Sequence, residues 1–182
     1  MGYCKYKGKR KEKPVYKGIV FDSTEEVEFM YWLEEAQTHE IITECEFHNQ
    51  VFKLFEKNKV PCLKTIRKQG FITLQDCEYE LDFRFKPTIN LDQFDHKLVI
   101  NDNGWVYVDT KGDFKGADTV FSIKQKLMYK EYGIYVNRVV PIKFFDLTWR
   151  PRLAGLTKVK RDIQQRYQHL KTYEQLYYKG WT

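Results

Sequence analysis

The stretch "WVYVDTKG", from Trp105 to Gly112, constrains the fold of this chain more than any other. Its alternation has the two-residue period of a β-strand: Val106 and Val108 point one way, Tyr107, Asp109 and Lys111 the other. A carboxylate and an ammonium therefore share one face at the exit of an apolar strand, where a sheet would hold both rigidly. Two other D-x-K triplets occur, Asp95-His96-Lys97 and Asp113-Phe114-Lys115. The first has no ordered run before it, and the second lies between Gly112 and Gly116, so only Asp109 and Lys111 have a strand to support them.

Around that strand the signals alternate between helix and sheet. "DSTEEVEFMYWLEEAQ" starts a helix, with Ser23 as N-cap and Glu26 closing a capping box, and should run from Thr24 to Gln37. "IITECEFHNQVFKLF" reads as extended. "YELDFRF" reads as one strand, with Tyr79, Leu81, Phe83 and Phe85 on one side and Glu80, Asp82 and Arg84 on the other. "KLVINDNGWVYVD" reads as a hairpin turning at Asn103-Gly104. A second helix is expected from Thr119 to Tyr132, stopped by Gly133. "IYVNRVVPIKFF" follows as one or two strands. Leu156, Val159, Ile163, Tyr167, Leu170, Tyr173 and Tyr177 then mark an amphipathic helix from Leu156 to Tyr178, expected to cover the sheet. The pattern is a mixed α/β domain around one central sheet flanked by helices, with an extra C-terminal helix. Its expected organisation is a basic flexible arm over residues 1–17, a core over 18–146 and a helical extension over 147–182.

Charge is distributed unevenly. Residues 1–17 carry seven Lys or Arg against one Glu, whereas 18–50 carry nine Asp or Glu and no Lys or Arg. Residues 147–182 carry eight basic and two acidic side chains. Basic ends suit either a phosphate backbone or simple solubility. The 182 residues hold no run of eighteen apolar side chains, and no apolar stretch follows the lysine-rich start, so neither a membrane span nor a signal peptide is expected. Four scattered cysteines without a C-x-x-C pair fit reduced thiols in the cytoplasm and argue against zinc.

Asp82 and Asp109, on the polar faces of neighbouring strands, are placed to share a hard divalent ion such as Mg²⁺ with water and phosphate oxygens. With Lys111 beside them, such a site suits phosphodiester hydrolysis. The competing interpretation is a cross-strand ion-pair ladder of little energetic weight. Glu26 borders the apolar stripe of Phe29, Met30 and Leu33, where it is either a third carboxylate for the ion or only the capping partner of Ser23; Glu25, Glu28, Glu34 and Glu35 should reach water. Lys124, near Val120, Phe121, Leu127 and Met128, either reaches a phosphate or snorkels from a solvated helix.

In this order, Glu26 on a first helix, Asp82 on one strand and Asp109-Thr110-Lys111 on the next, the chain resembles the PD-(D/E)xK nuclease superfamily. The nearer likeness is to phage and prophage endonucleases related to Holliday-junction resolvases, through "GIVFDSTEE", "NQVFKL", "YELDFRF", "VYVDTKG" and "FSIKQKLMYKEYGI". It covers roughly residues 5–135. It departs at Leu81, where the family has proline, at an insertion over 56–76 and in the tail after 146. The resemblance implies a restriction-endonuclease-like core and Mg²⁺-dependent DNA cleavage, with Mn²⁺ able to substitute. Glu26, Asp82 and Asp109 would be metal ligands, Lys111 the catalytic lysine, and Gln50, Lys124 and Lys126 supporting or DNA-binding residues. The implied substrate is branched recombination or replication DNA, cut by a homodimer in the bacterial cytoplasm. Alternatives are a nuclease for single strands, flaps or duplex, of transposon-end or restriction type, and an inactive DNA-binding module of the same fold.

Overall fold

The computed structural model describes residues 12–48, 50–61, 70–113, 119–156 and 162–177. Its strands are β1 (Val15–Tyr16), β2 (Ile19–Val20), β3 (Ile42–Phe47), β4 (Val51–Phe55), β5 (Asn58–Pro61), β6 (Phe71–Leu74), β7 (Cys77–Glu80), β8 (Phe83–Pro87), β9 (Val106–Thr110) and β10 (Val136–Val139). Its α-helices are α1 (Thr24–Thr38), α2 (Thr119–Tyr132), α3 (Pro141–Leu147) and α4 (Tyr173–Tyr177). None of the described helices is long and apolar enough to cross a membrane.

The central sheet runs β10-β9-β8-β3 and is mixed, as expected. β3, β8 and β9 are antiparallel, whereas β10 lies parallel to β9. A parallel neighbour needs a crossover, and α2 is that crossover. The alternation within β9 divides the interior in two. Val106 and Val108 join Phe29, Trp32, Leu33, Phe83 and Phe85 under α1. Tyr107 joins Leu54, Tyr79, Leu81, Phe121, Met128 and Val136 on the α2 side. Each large apolar side chain fully buried here contributes about 1.5–3 kcal/mol.

The two long helices form where the sequence indicates. Ser23 Oγ accepts from Glu26 N–H at 3.1 Å to cap α1, and Gly133, at φ +67°, ends α2. Residues 1–11 of the basic arm lie outside the described residues. Residues 12–17 are tied down by the β1–β2 hairpin, and Lys17 pairs with Glu34 at 2.8 Å.

Several expectations are corrected. "YELDFRF" is two strands: Cys77–Glu80 pairs with β4 in a separate ribbon, and the chain enters the central sheet only at Phe83. The break inverts the side-chain alternation, so Tyr79 and Leu81 face the α2 side while Phe83 and Phe85 face α1. The 56–76 insertion lengthens the ribbon through β5 and β6, except for 62–69, which lie outside the described residues. Leu98–Ile100 is no strand of a hairpin. A turn does form, with Gly104 N–H donating to Asn101 O at 2.8 Å, but the neighbour of β9 is β8. Leu98–Ile100 is instead anchored by Asn137, whose side chain bonds both the N–H and the carbonyl of Val99. "PIKFF" is helical, because a proline at the first helical position loses no hydrogen bond there.

The tail is not one amphipathic helix. Among the described residues it holds a turn, a 3₁₀ segment at Gln165–Tyr167 and the five-residue α4. Nor does it lie on the sheet: it covers the outer side of α1. Trp149 packs on Trp32 at 4.9 Å, Tyr173 on Trp149 at 5.2 Å, and Tyr167 OH donates to Glu28 Oε2 at 2.6 Å. Glu28 is therefore buried, and burial holds its carboxyl above the usual range. Glu35 also does more than reach water, since it accepts from Trp149 Nε1 and from the Arg152 N–H. Helical periodicity lost because each aromatic ring gains more against α1 than the segment gains from backbone pairing.

Gly155 makes that path possible. It sits at φ +75°, and a Cβ there would lie 2.4 Å from the Tyr167 ring. Gly155→Ala should lower stability by at least about 2 kcal/mol in urea unfolding, from the left-handed backbone and the displaced ring together. Tyr167→Phe, which removes the hydroxyl donor of the buried Glu28 carboxyl and leaves it the Gly155 N–H, should cost about 1–3 kcal/mol in the same measurement.

Candidate active site

The site lies where two strands leave the central sheet together. β3 ends at Phe47 and β8 begins at Phe83, directly opposite; β4 and β7 resume at the Val51–Glu80 pair. Between them, His48 N–H donates to Asp82 O at 3.0 Å and Leu81 N–H to Gln50 O at 3.1 Å. His48 takes φ +43° to make the bend. Both strands thus turn at one level, and the turn directs His48 and Asp82 into a common cleft.

β9 brings the remaining groups. Phe83 pairs with Val108 in antiparallel register, so Asp82 stands beside Asp109 and Thr110. Asp82 Oδ2 accepts from the Thr110 N–H at 2.7 Å and from Thr110 Oγ1 at 2.8 Å. Asp109 is 4% exposed; its Oδ1 accepts from Tyr79 OH at 2.9 Å and its Oδ2 lies 2.5 Å from Lys111 Nζ. The Lys111 N–H is fixed to Val139 O of β10 at 2.8 Å. The cleft has a volume of about 260 Å³, and Asp82, Asp109, Lys111, His48 and Lys124 are among its lining residues.

Glu26 sits immediately behind this lining, 5% exposed. It is the capping partner of Ser23, and it also stands near two groups of the cleft. Its Oε1 accepts from Ser23 Oγ at 2.9 Å and its Oε2 from the Asp22 N–H at 3.0 Å, which completes the cap. The same Oε2 lies 3.6 Å from His48 Nε2, and Asp82 Oδ1 lies 3.9 Å from that nitrogen.

The electrostatics are those of crowded, buried acids. Burial pushes the Asp109 carboxyl up to about 6, with the charge of Asp82 adding to it against Lys111 and Tyr79. Asp82 is raised as well, first by burial and further by Glu26, against the two Thr110 hydrogen bonds and Lys111. An ion-pair ladder on a solvated surface would show neither the burial nor the upward shifts. The donors are all hard oxygens, apart from one imidazole, and fit Mg²⁺ or Mn²⁺. Among the described residues, however, no three acidic, imidazole or thiol groups form a ready-made metal cage.

Of the other expected residues, Lys124 belongs here: it lines the cleft and donates to Glu78 O at 2.7 Å. Gln50 does not. Its amide faces the Arg84 guanidinium, which packs over Trp105. Lys126 is exposed beside Tyr129 and Tyr135, away from the cleft. Lys at 124 and 126 cannot share one helical face, because two residues along a helix turn through about 200°. His48 and Tyr79 were not legible as site residues. Tyr79 was assigned to the wrong side by the unbroken alternation, and a single His in "EFHNQ" carries no spacing signal.

Compared with protein-family models, with curated proteins and with solved structures, the chain matches none.

A carboxyl whose folded pKa stands above its unfolded value makes folding less favourable as pH climbs from the unfolded pKa, about 4, toward the folded one. Asp109→Asn should therefore raise the melting temperature of the cation-free protein at pH 8, by on the order of 1–3 kcal/mol in stability. The gain should shrink toward pH 4. A variant melting no higher than the parent at pH 8 would contradict the electrostatics given for Asp109.

Proposed function

We propose that this chain is a metal-dependent DNA endonuclease of the PD-(D/E)xK type, acting on branched recombination or replication DNA. The observation that carries the reading is the β8–β9 register, which sets Asp82 against Asp109 with Lys111 at the rim of the same cleft. The order α1-β3-β8-β9-α2-β10, with three antiparallel strands and a parallel fourth, agrees with the restriction-endonuclease-like core that the sequence resemblance implies. Buried carboxylates that raise one another's pKa are a common mark of catalytic sites.

In this reading Asp82, Asp109 and Glu26 hold the cation. Mg²⁺ or Mn²⁺ would supply Lewis acidity toward the phosphodiester and an acidified water. Thr110 orients Asp82 through two hydrogen bonds, so the carboxylate is set before substrate arrives. Lys111 is a cation at the cleft mouth, placed to stabilise negative charge building on the phosphate. Lys124 is placed to hold a flanking phosphate oxygen. The net charge of +6 favours encounter with nucleic acid. Symmetric cutting of a four-way junction calls for two copies of the site, hence a homodimer; the cytoplasm of a bacterial host is the matching compartment.

The test is incubation with a four-way junction, a flap and a linear duplex of one sequence, with Mg²⁺, Mn²⁺ or EDTA. Symmetric nicks in the junction, dependent on the cation, are the expected result. Cutting of flap or plain duplex instead would give the narrower nuclease alternatives, and no cutting of any substrate would leave a DNA-binding module. Asp109→Ala and Lys111→Ala should each lower cleavage by about 10²-fold or more. Unchanged cleavage in either, with contaminating nuclease excluded, would remove that residue from the site.

A further inference from the structure

Among the side chains lining the cleft, His48 has no part in the sequence motif or in the proposed chemistry. His48 Nε2 lies 3.6 Å from Glu26 Oε2 and 3.9 Å from Asp82 Oδ1. The ring is held in place. It stacks on Phe47 at 3.9 Å between centroids, nearly parallel at 18°, and the backbone N–H of His48 donates to Asp82 O. Its backbone occupies φ +43°, a conformation costly for most side chains and kept mainly where the surroundings impose it. The opposite nitrogen, Nδ1, faces Glu80 Oε1 at 4.0 Å.

We propose that His48, through Nε2, is a nitrogen ligand of the divalent cation held by Glu26 and Asp82. The proposal rests on the reading of this cleft as a cation site. Around an octahedral ion with ligand distances near 2.1 Å, adjacent donors stand about 3.0 Å apart and opposite donors about 4.2 Å. The separations of 3.6 and 3.9 Å fall inside that interval, so the nitrogen shares an ion with either oxygen after small side-chain adjustment. A ligating imidazole commonly turns its second nitrogen to a carboxylate, which is the side Glu80 occupies. The competing role for His48 is that of a counter-charge to the two acids, which needs proximity but no nitrogen–metal bond. An imidazole donor also alters selectivity: it suits Mn²⁺ better than Mg²⁺, which prefers oxygen.

The full chain loaded with Mn²⁺ alone, without DNA, provides the test. Pulsed electron paramagnetic resonance should detect ¹⁴N coupled to the bound Mn²⁺. His48→Asn is the informative variant, because asparagine tolerates positive φ; the melt of the cation-free protein checks that it folds, and His48→Gln serves if it does not. The coupling should vanish in the variant, and Mn²⁺ affinity by calorimetry should fall about 10-fold or more, with a smaller change for Mg²⁺. A wild-type spectrum without nitrogen coupling, with Mn²⁺ binding that Asp82→Asn abolishes, would overturn the role of His48 and leave the cation site intact. Coupling that survives in a folded variant would overturn it equally. Failure of the wild-type protein to bind Mn²⁺ at all would overturn both this inference and the nuclease reading.

Discussion

The structure depends on one antiparallel pairing, that of β8 with β9 at Phe83 opposite Val108. Pairing at this register sends Val106, Val108, Phe83 and Phe85 into the core beneath α1. It leaves the next residues of each strand, Asp82 and Asp109, side by side at the far end, on the opposite face. A slip of one residue would put both acids among the aromatic rings beneath α1 and move the valines to the α2 side, at a cost in burial that no local interaction offsets. The hydrophobic interior therefore holds the candidate site in position, and the acids are clustered against their own electrostatic preference.

The acidic block of residues 18–50 acquires meaning in the same way. On α1, Glu26 lies behind the cleft lining near His48, Glu28 and Glu35 are taken up by the tail through Tyr167, Trp149 and Arg152, and Glu34 is taken up by Tyr16 and Lys17. A helix whose charges look solvated in sequence is thus enclosed on three sides. The C-terminal segment is what makes this arrangement compact: its aromatics extend the α1 core outward, from Trp32 to Trp149 to Tyr173.

Much of this was legible beforehand. The two long helices, the mixed sheet and the facing directions of Val106, Val108, Asp109 and Lys111 follow from short-range periods and capping chemistry, which the chain carries locally. What was not legible arises at places where local pattern and tertiary demand conflict. "YELDFRF" alternates without interruption, yet the chain changes partners at Leu81–Asp82, and nothing within seven residues records which strand will pair where. The tail's 3.6-residue spacing is real, but it was overridden by ring-on-ring packing against a helix more than a hundred positions away. His48 entered the site only because β3 and β8 bend at the same level.

By itself, the sequence determined which residues alternate, where helices begin and end, and that carboxylates and an ammonium sit at strand termini, since these follow from side-chain chemistry and backbone period. Only the tertiary structure decided that Asp82 meets Asp109, that Glu26 serves as cap and as neighbour of the cleft at once, and that Gln50 and Lys126 stand apart. Those outcomes depend on strand register and on the break between ribbon and sheet, which are settled by burial summed over the whole domain and have no signature in any single segment.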